Sequence, residues 1–222
     1  MKKVIYCLFD GSGIAGLPWA EDGHTVYCFN ADSGNHGEYH IKMKHENIHY
    51  VNMWIDKDFI TKCELLGLPP AQMVIGFPDC TLFSQSGSQH ERGEDELAYA
   101  LANAKLVEEV GNHFQAPWMV ENPVGKLSSL WRKPDFYFNP CDYGGYVDHD
   151  DVYHPRMPPR NAYNKKTCIW CGNGFVEPIK KPVESIGFFW AWKYCGGKSA
   201  KTKVLRSLTP EGFARALYES NK

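Results

Sequence analysis

Residues 4–16 read VIYCLFDGSGIAG, and this stretch decides the fold. Residues 4–9 are apolar or aromatic without a break, which suits a strand buried on both faces. Asp10-Gly11-Ser12-Gly13 supplies a tight turn, and residues 14–21 can open a helix whose start is restricted by Pro18. A buried strand turning through glycines into a helix is the opening unit of a parallel sheet. Further along, residues 25–29, 48–53, 72–76 and 118–120 predict four more strands, and residues 36–46, 57–66 and 95–114 predict helices between them. The helix over 95–114 is the clearest, with Leu97, Ala100, Leu101, Ala104, Val107 and Val110 at helical spacing. This alternation predicts an α/β fold, a doubly wound, mostly parallel sheet with helices on both faces. After Glu121 it gives way to a stretch rich in Pro, Gly, Asp, Tyr and Trp. A strand over 167–170 then returns, followed by a glycine- and aromatic-rich segment. A last helix over 209–220 has Thr209 as its N-cap and Pro210 at its first position. One domain, 1–222, is expected, with a small irregular, basic insertion at 172–206.

The 222 residues suffice for one buried core. With 43% hydrophobic, 23% charged and 14% aromatic residues, the composition excludes a disordered chain. No apolar run approaches the ~20 residues of a membrane span. The apolar stretch after Lys2 and Lys3 stops at Asp10, too soon for a signal peptide, so a cytoplasmic protein is expected. The net charge of −2 hides an asymmetry. Residues 1–120 hold 8 bases against 16 acids, and residues 121–222 hold 16 bases against 10 acids. Lys193, Lys198, Lys201, Lys203 and Arg206 follow one another with no acid between them. Such a run is either a solvated face or a contact for a polyanion. The eight cysteines are expected to be reduced thiols. Cys168-Ile-Trp-Cys171 has CxxC spacing but lacks a second pair, and no metal site is expected.

Ligands of doubly wound sheets sit at the C-terminal strand ends. Phe9-Asp10-Gly11-Ser12-Gly13 ends the first strand, where glycines let a ligand approach the backbone, although a lone GxG also serves plain turns. Asn30 and Asp32 end the second, and Asp56 follows the third; these are ribose contacts or helix caps. The fourth runs into Gly76-Phe77-Pro78-Asp79-Cys80-Thr81, with a thiol in the loop. The fifth ends in Val120-Glu121-Asn122-Pro123, where a carboxyl on an apolar strand should have a raised pKa and can act as a proton donor.

FDGSGIAG, GFPDCTLFS and VENPVGKL, in that order, resemble motifs of the DNA (cytosine-5) methyltransferases. Cys80 and Glu121 are 41 residues apart, a separation like the family's. RSLTPEGFARALYES looks like the family's last helix, and the ENPVGKLSSLWRKPD run looks especially like phage-encoded members, which would work in the host cytoplasm. The resemblance implies a Rossmann-like methyltransferase domain using S-adenosyl-L-methionine. It implies cofactor contacts from Phe9, Asp10, Gly11, Gly13, Asn30, Asp32, Asp56 and Pro78. Cys80 is implied as the nucleophile at cytosine C6, and Glu121 as the acid at N3. The partner implied is DNA, as a flipped cytosine or a single strand, met by a monomer.

The sequence also departs from the family pattern. Asp79 stands where most relatives have Pro, and its charge should raise the pKa of Cys80. ENP replaces ENV. The Gln-x-Arg-x-Arg motif before the seventh strand is missing; Arg156, Arg160, Lys165 and Lys166 precede that strand, and Lys165 or Lys166 is the expected substitute. Ser84, Arg156, Arg160, Lys198, Lys201 and Lys203 are the nucleic-acid contacts expected. Phe188, Phe189, Trp190, Trp192 and Tyr194 beside the basic run either stack on bases or form a small local core. Two further readings are the same chemistry on RNA or a free pyrimidine nucleotide, and a catalytically inactive relative that binds nucleic acid or cofactor.

Overall fold

The structure is a computed structural model and describes residues 1–31, 41–83, 93–196 and 199–222. Among these residues seven strands form one sheet: β1 Val4–Leu8, β2 Thr25–Asn30, β3 Ile48–Asn52, β4 Met73–Gly76, β5 Trp118–Pro123, β6 Phe136–Phe138 and β7 Thr167–Gly172. Their order is β3-β2-β1-β4-β5-β7-β6. The first five are parallel, and β7 is antiparallel to both β5 and β6. The β3-β2-β1-β4-β5 part is the Rossmann order, so the doubly wound, mostly parallel sheet expected from the sequence is present.

Alternation along each strand sends side chains to two cores. Tyr6 and Leu8 of β1, Phe29, Val74, Val120 and Trp170 face one side, covered by α2 (Phe59–Leu65) and α3 (Glu94–His113). Ile5 and Cys7, with Val26, Ile75, Met119 and Ile169, face the other, covered by α1 (Leu17–Glu21) and the last helix, Glu211–Asn221. In between, α4 spans Leu127–Leu130, α5 Trp190–Tyr194 and α6 Ala200–Ser207; the last helix is α7. A third, smaller core gathers Ile14, Met157, Tyr163, Phe189, Trp190, Ala191, Cys195, Leu205 and Leu208, and seats the segment after β7 on the body of the domain.

Several expectations shift. The N-cap of α7 is Pro210, not Thr209, and the helix begins at Glu211. Pro210 has extended backbone angles (φ −62°, ψ 127°), so it precedes the helix rather than opening it. The expected helix over 36–46 fails in its described part, since residues 41–46 are not helical; residues 36–40 lie outside the described residues. β6 has no counterpart in the sequence reading. Cys168 and Cys171 sit three apart on β7, so one faces each core and the pair cannot share a ligand. All eight cysteines are free thiols. Among the described residues, no helix is long and apolar enough to cross a membrane.

Candidate active site

The turn after β1 is built by its own carboxylate. Asp10 Oδ1 accepts from the Ser12 amide at 2.9 Å, the Ser12 hydroxyl at 3.0 Å and the Gly13 amide at 2.8 Å. Asp10 is 4% exposed, so its first duty is to hold this loop. Gly13 has φ 74°, and a Cβ there would lie 2.3 Å from Tyr50 Oη, a hydroxyl that donates to the Ser12 and Met43 carbonyls. Phe9, half-buried, has φ 60°, a left-handed conformation that strains a bulky residue. Asn30, also half-buried, ends the neighbouring β2, and the Asp10 amide donates to the Phe29 carbonyl at 3.2 Å, tying the two strand ends together. The glycine turn after β1 and the Asn30 amide thus lie at adjacent strand ends, polar groups of the kind that suit a nucleoside, beside Phe9, whose ring packs against the core below. Asp56 differs: Lys62 Nζ grips both its oxygens at 2.8 and 2.7 Å, and this ammonium holds its carboxyl below the ordinary value. Asp32 and Ser84 lie outside the described residues, as does Lys198.

The Cys80 loop is pinned from several directions. Asn122, fully buried, donates from Nδ2 to the Pro78 carbonyl at 3.0 Å. Asp79 Oδ1 accepts from the Thr81 amide at 2.8 Å and its hydroxyl at 2.6 Å, closing the turn around Cys80. The Phe83 amide donates to the Cys80 carbonyl, and the Lys126 amide to the Phe83 carbonyl. The ENP segment therefore supplies the acid and, one residue on, the clamp that holds the thiol loop.

Lys165 joins this group because β7 runs antiparallel to β5. Pro123 pairs with Thr167 and Glu121 with Ile169, so the start of β7 lies beside the C-terminal end of β5. Lys165 Nζ donates to the Arg206 carbonyl at 3.1 Å. Lys166 turns the other way, over the Tyr137 ring at 4.6 Å. Of the two lysines expected, Lys165 reaches the site.

The electrostatics follow from burial. Loss of water pushes the Cys80 thiol up to about 11; the Lys165 ammonium pulls it down, and Glu121 and then Asp79 push it further up. Asp79 thus acts in the direction expected, behind burial in weight. Burial also raises the Glu121 carboxyl, against the pull of Lys165. Glu121 and Lys165 line a narrow cleft with Phe77, Thr167, Ser207, Leu208, Thr209, Pro210 and Phe213. The residues at 207–210 were missed as site candidates. Their signal was available: the segment that starts α7 must return to the strand ends if that helix packs beside the first turn.

The basic residues divide. Arg160 (φ 53°) donates from Nε to the Val147 carbonyl at 3.1 Å and so braces a loop. Arg156 lies over the Tyr194 ring at 5.5 Å. Lys201 and Lys203 are exposed on α6. Among the described residues one group of metal-ligand type comes together, Cys7, Asp10 and Cys28, all buried beneath the first turn.

No family model matches the chain, and no curated protein matches it. Among solved structures, the chain is similar to one described as a candidate DNA modification methyltransferase encoded within a prophage of E. coli. The identity is 16% and the TM-score 0.47, over 82% of this chain and 53% of that one. A second is an S-adenosylmethionine (SAM)-dependent methyltransferase from Agrobacterium tumefaciens, at 18% identity and TM-score 0.35, over 55% of this chain and 39% of that one. The chain spans about half the length of the first of these structures.

Proposed function

We propose that the chain is an S-adenosyl-L-methionine-dependent methyltransferase acting at C5 of cytosine in DNA. The observation that carries this reading is the convergence, at the ends of β4, β5 and β7, of a clamped thiol, a carboxyl with a raised pKa and a single lysine. Cytosine C5 is a weak nucleophile. Addition of the Cys80 thiolate at C6 makes C5 electron-rich, and C5 then takes the methyl group. Glu121, kept protonated more readily by its burial, donates at N3 and offsets the charge that develops there. Transfer of the C5 proton to water lets its bonding electrons re-form the C5–C6 double bond and expel the Cys80 thiolate, while Glu121 takes back the N3 proton. Lys165 pulls on both groups, opposing the rise that burial imposes on the Cys80 thiol and the Glu121 carboxyl. Phe9, Gly11, Gly13, Asn30 and Pro78 would hold the cofactor, with Asp10 shaping the turn and Asp32 and Asp56 as further contacts. When bound, S-adenosylmethionine supplies an electrophilic methyl group. Residues 172–206 serve as a minimal recognition segment; Ser84, Arg156, Lys198, Lys201 and Lys203 would contact phosphates, while Arg160 holds its loop through the Val147 carbonyl.

The test is transfer of labelled methyl from the cofactor to DNA, followed by base analysis. 5-Methylcytosine is the expected product, and absence of transfer to any DNA overturns the proposal. Transfer confined to RNA or free pyrimidine nucleotides moves the same chemistry to that substrate. Cys80→Ala is expected to lose covalent capture of DNA containing 5-fluorocytosine; undiminished capture removes Cys80 as nucleophile. One observation favours a catalytically silent binder, namely the high pKa of Cys80. Calorimetric binding of cofactor with no turnover on any substrate would decide for it.

A further inference from the structure

The segment between β7 and α7 carries side chains that the chemistry above does not use. In the run FFWAWKY, residues 188–194, Phe189, Trp190 and Ala191 are buried in the third core. Phe188, Trp192 and Tyr194 point outward, 37%, 68% and 42% exposed. Cations lie among them: Lys193 Nζ is 5.1 Å from the Phe188 ring and 5.5 Å from Tyr194, and Arg156 is 5.5 Å from Tyr194. Trp192 meets Phe189 edge-on at 5.6 Å, and Lys165 lies 5.6 Å from the same Phe189 ring. One buried ring therefore links the outer aromatic surface to the lysine of the candidate site.

Between Glu184 and Glu211 the sequence has no acid, and it also has no Asn or Gln. Its one arginine, Arg206, spends its guanidinium on the Cys195 carbonyl at 2.8 Å. Duplex sequence is read by a helix or ribbon in the major groove through Arg, Asn or Gln forks on base edges. Here α5 has five residues and offers rings and a lysine. Ring faces are open to bases that are not already stacked in a duplex.

We propose that this surface binds single-stranded DNA in preference to duplex, with bases stacking on Trp192, Tyr194 and Phe188 and phosphates meeting Lys193 and Arg156. The choice of DNA rests on the reading under Proposed function; the preference for an unpaired strand rests on the surface alone. The experiment is fluorescence anisotropy on the full chain, without cofactor. Labelled single-stranded DNA of about 16 nucleotides, a duplex of the same sequence and the matching RNA are compared. Single-stranded DNA is expected to bind about tenfold or more tightly than duplex. Trp192→Ala should weaken it by roughly 5- to 150-fold, and Trp192→Phe should recover most of the loss. Because Trp192 is largely exposed, its truncation leaves the core intact, which circular dichroism checks. Lys193→Ala should flatten the salt dependence by about one phosphate contact. Duplex binding as tight as single-strand binding, tighter binding of the RNA, or an unchanged Trp192→Ala variant each overturns the proposal. Binding through Trp192 without methyl transfer defeats the functional reading alone; methyl transfer with duplex preference defeats this one alone.

Discussion

Cys80 allows a quantitative test of the site's electrostatics without any substrate. Its thiol is pushed up to about 11 by burial, so at pH 8 about one molecule in a thousand carries the thiolate. A free cysteine, with pKa about 8.5, is about a quarter thiolate at that pH. Since the thiolate is the reacting form, Cys80 should alkylate with iodoacetamide about two orders of magnitude more slowly than a free thiol at pH 8. Its rate should rise about tenfold per pH unit from 7 to 10. Removing the Lys165 charge with Lys165→Met keeps most of the aliphatic stem and takes away the positive charge that pulls the thiol down, so the rate should fall further across that range. The assay is mass-spectrometric mapping of the Cys80 peptide against time and pH. The other half-exposed thiol, Cys171, is held up at about 12 and serves as an internal reference. A Cys80 rate that levels off near pH 8, or a Lys165→Met variant that reacts faster, would refute this account of the pocket.

Other consequences can be checked by stability measurements. Asn122→Ala removes a buried donor and leaves the Pro78 carbonyl without its partner, a loss of about 1–3 kcal/mol in urea unfolding, together with faster Cys80 alkylation as the loop loosens. Gly212→Ala places a Cβ 2.3 Å from the Tyr143 carbonyl oxygen, so α7 must move off residues 140–146; about 1–3 kcal/mol of destabilisation is expected in the same assay. Glu121 binds its proton more tightly when folded than when unfolded, so its contribution to stability declines as pH rises from the ordinary carboxyl range through its raised folded value. Glu121→Gln removes that decline. Urea curves at pH 4 and pH 8 should show a smaller fall for the variant than for the parent, and parallel falls would contradict the raised carboxyl.

Much of this site was legible in the sequence because it sits at the ends of central strands. VIYCLF, AQMVIG and APWMVE are continuous apolar runs ended by Gly, Pro or acid, and burial on both faces makes such runs easy to read. Lys165 and Lys166 could not be separated that way. Adjacent residues point to opposite sides near a strand, and which one meets Glu121 depends on the antiparallel register of β7 against β5. β6 was hidden by its brevity: FYF between Pro134 and Pro140 shows no usable period, and it forms only because β7 offers an edge. The aromatic run at 188–194 left two readings open, local core or exposed surface. The fold takes both, burying Phe189 and Trp190 and exposing Phe188, Trp192 and Tyr194. The role of Asp10 was equally closed to sequence, since a carboxylate that caps its own turn and one that awaits a ligand have the same neighbours in the chain.

The reversed direction of β7 also bears on the order of assembly. The cleft is walled by residues near 77, 121, 165–167 and 207–213, four stretches spread over more than half the chain. A growing polypeptide has β1 to β5 in hand long before the stretch at 207–213 has been made. Contacts between residues so far apart in sequence form late, because closing long loops is costly until neighbouring structure is in place. The sheet can therefore be nearly complete while the cleft has no fourth wall. Enclosure of the Glu121 carboxyl, which lines that cleft, should lag behind formation of the central strands, which makes this residue a reporter on the last step of folding rather than the first.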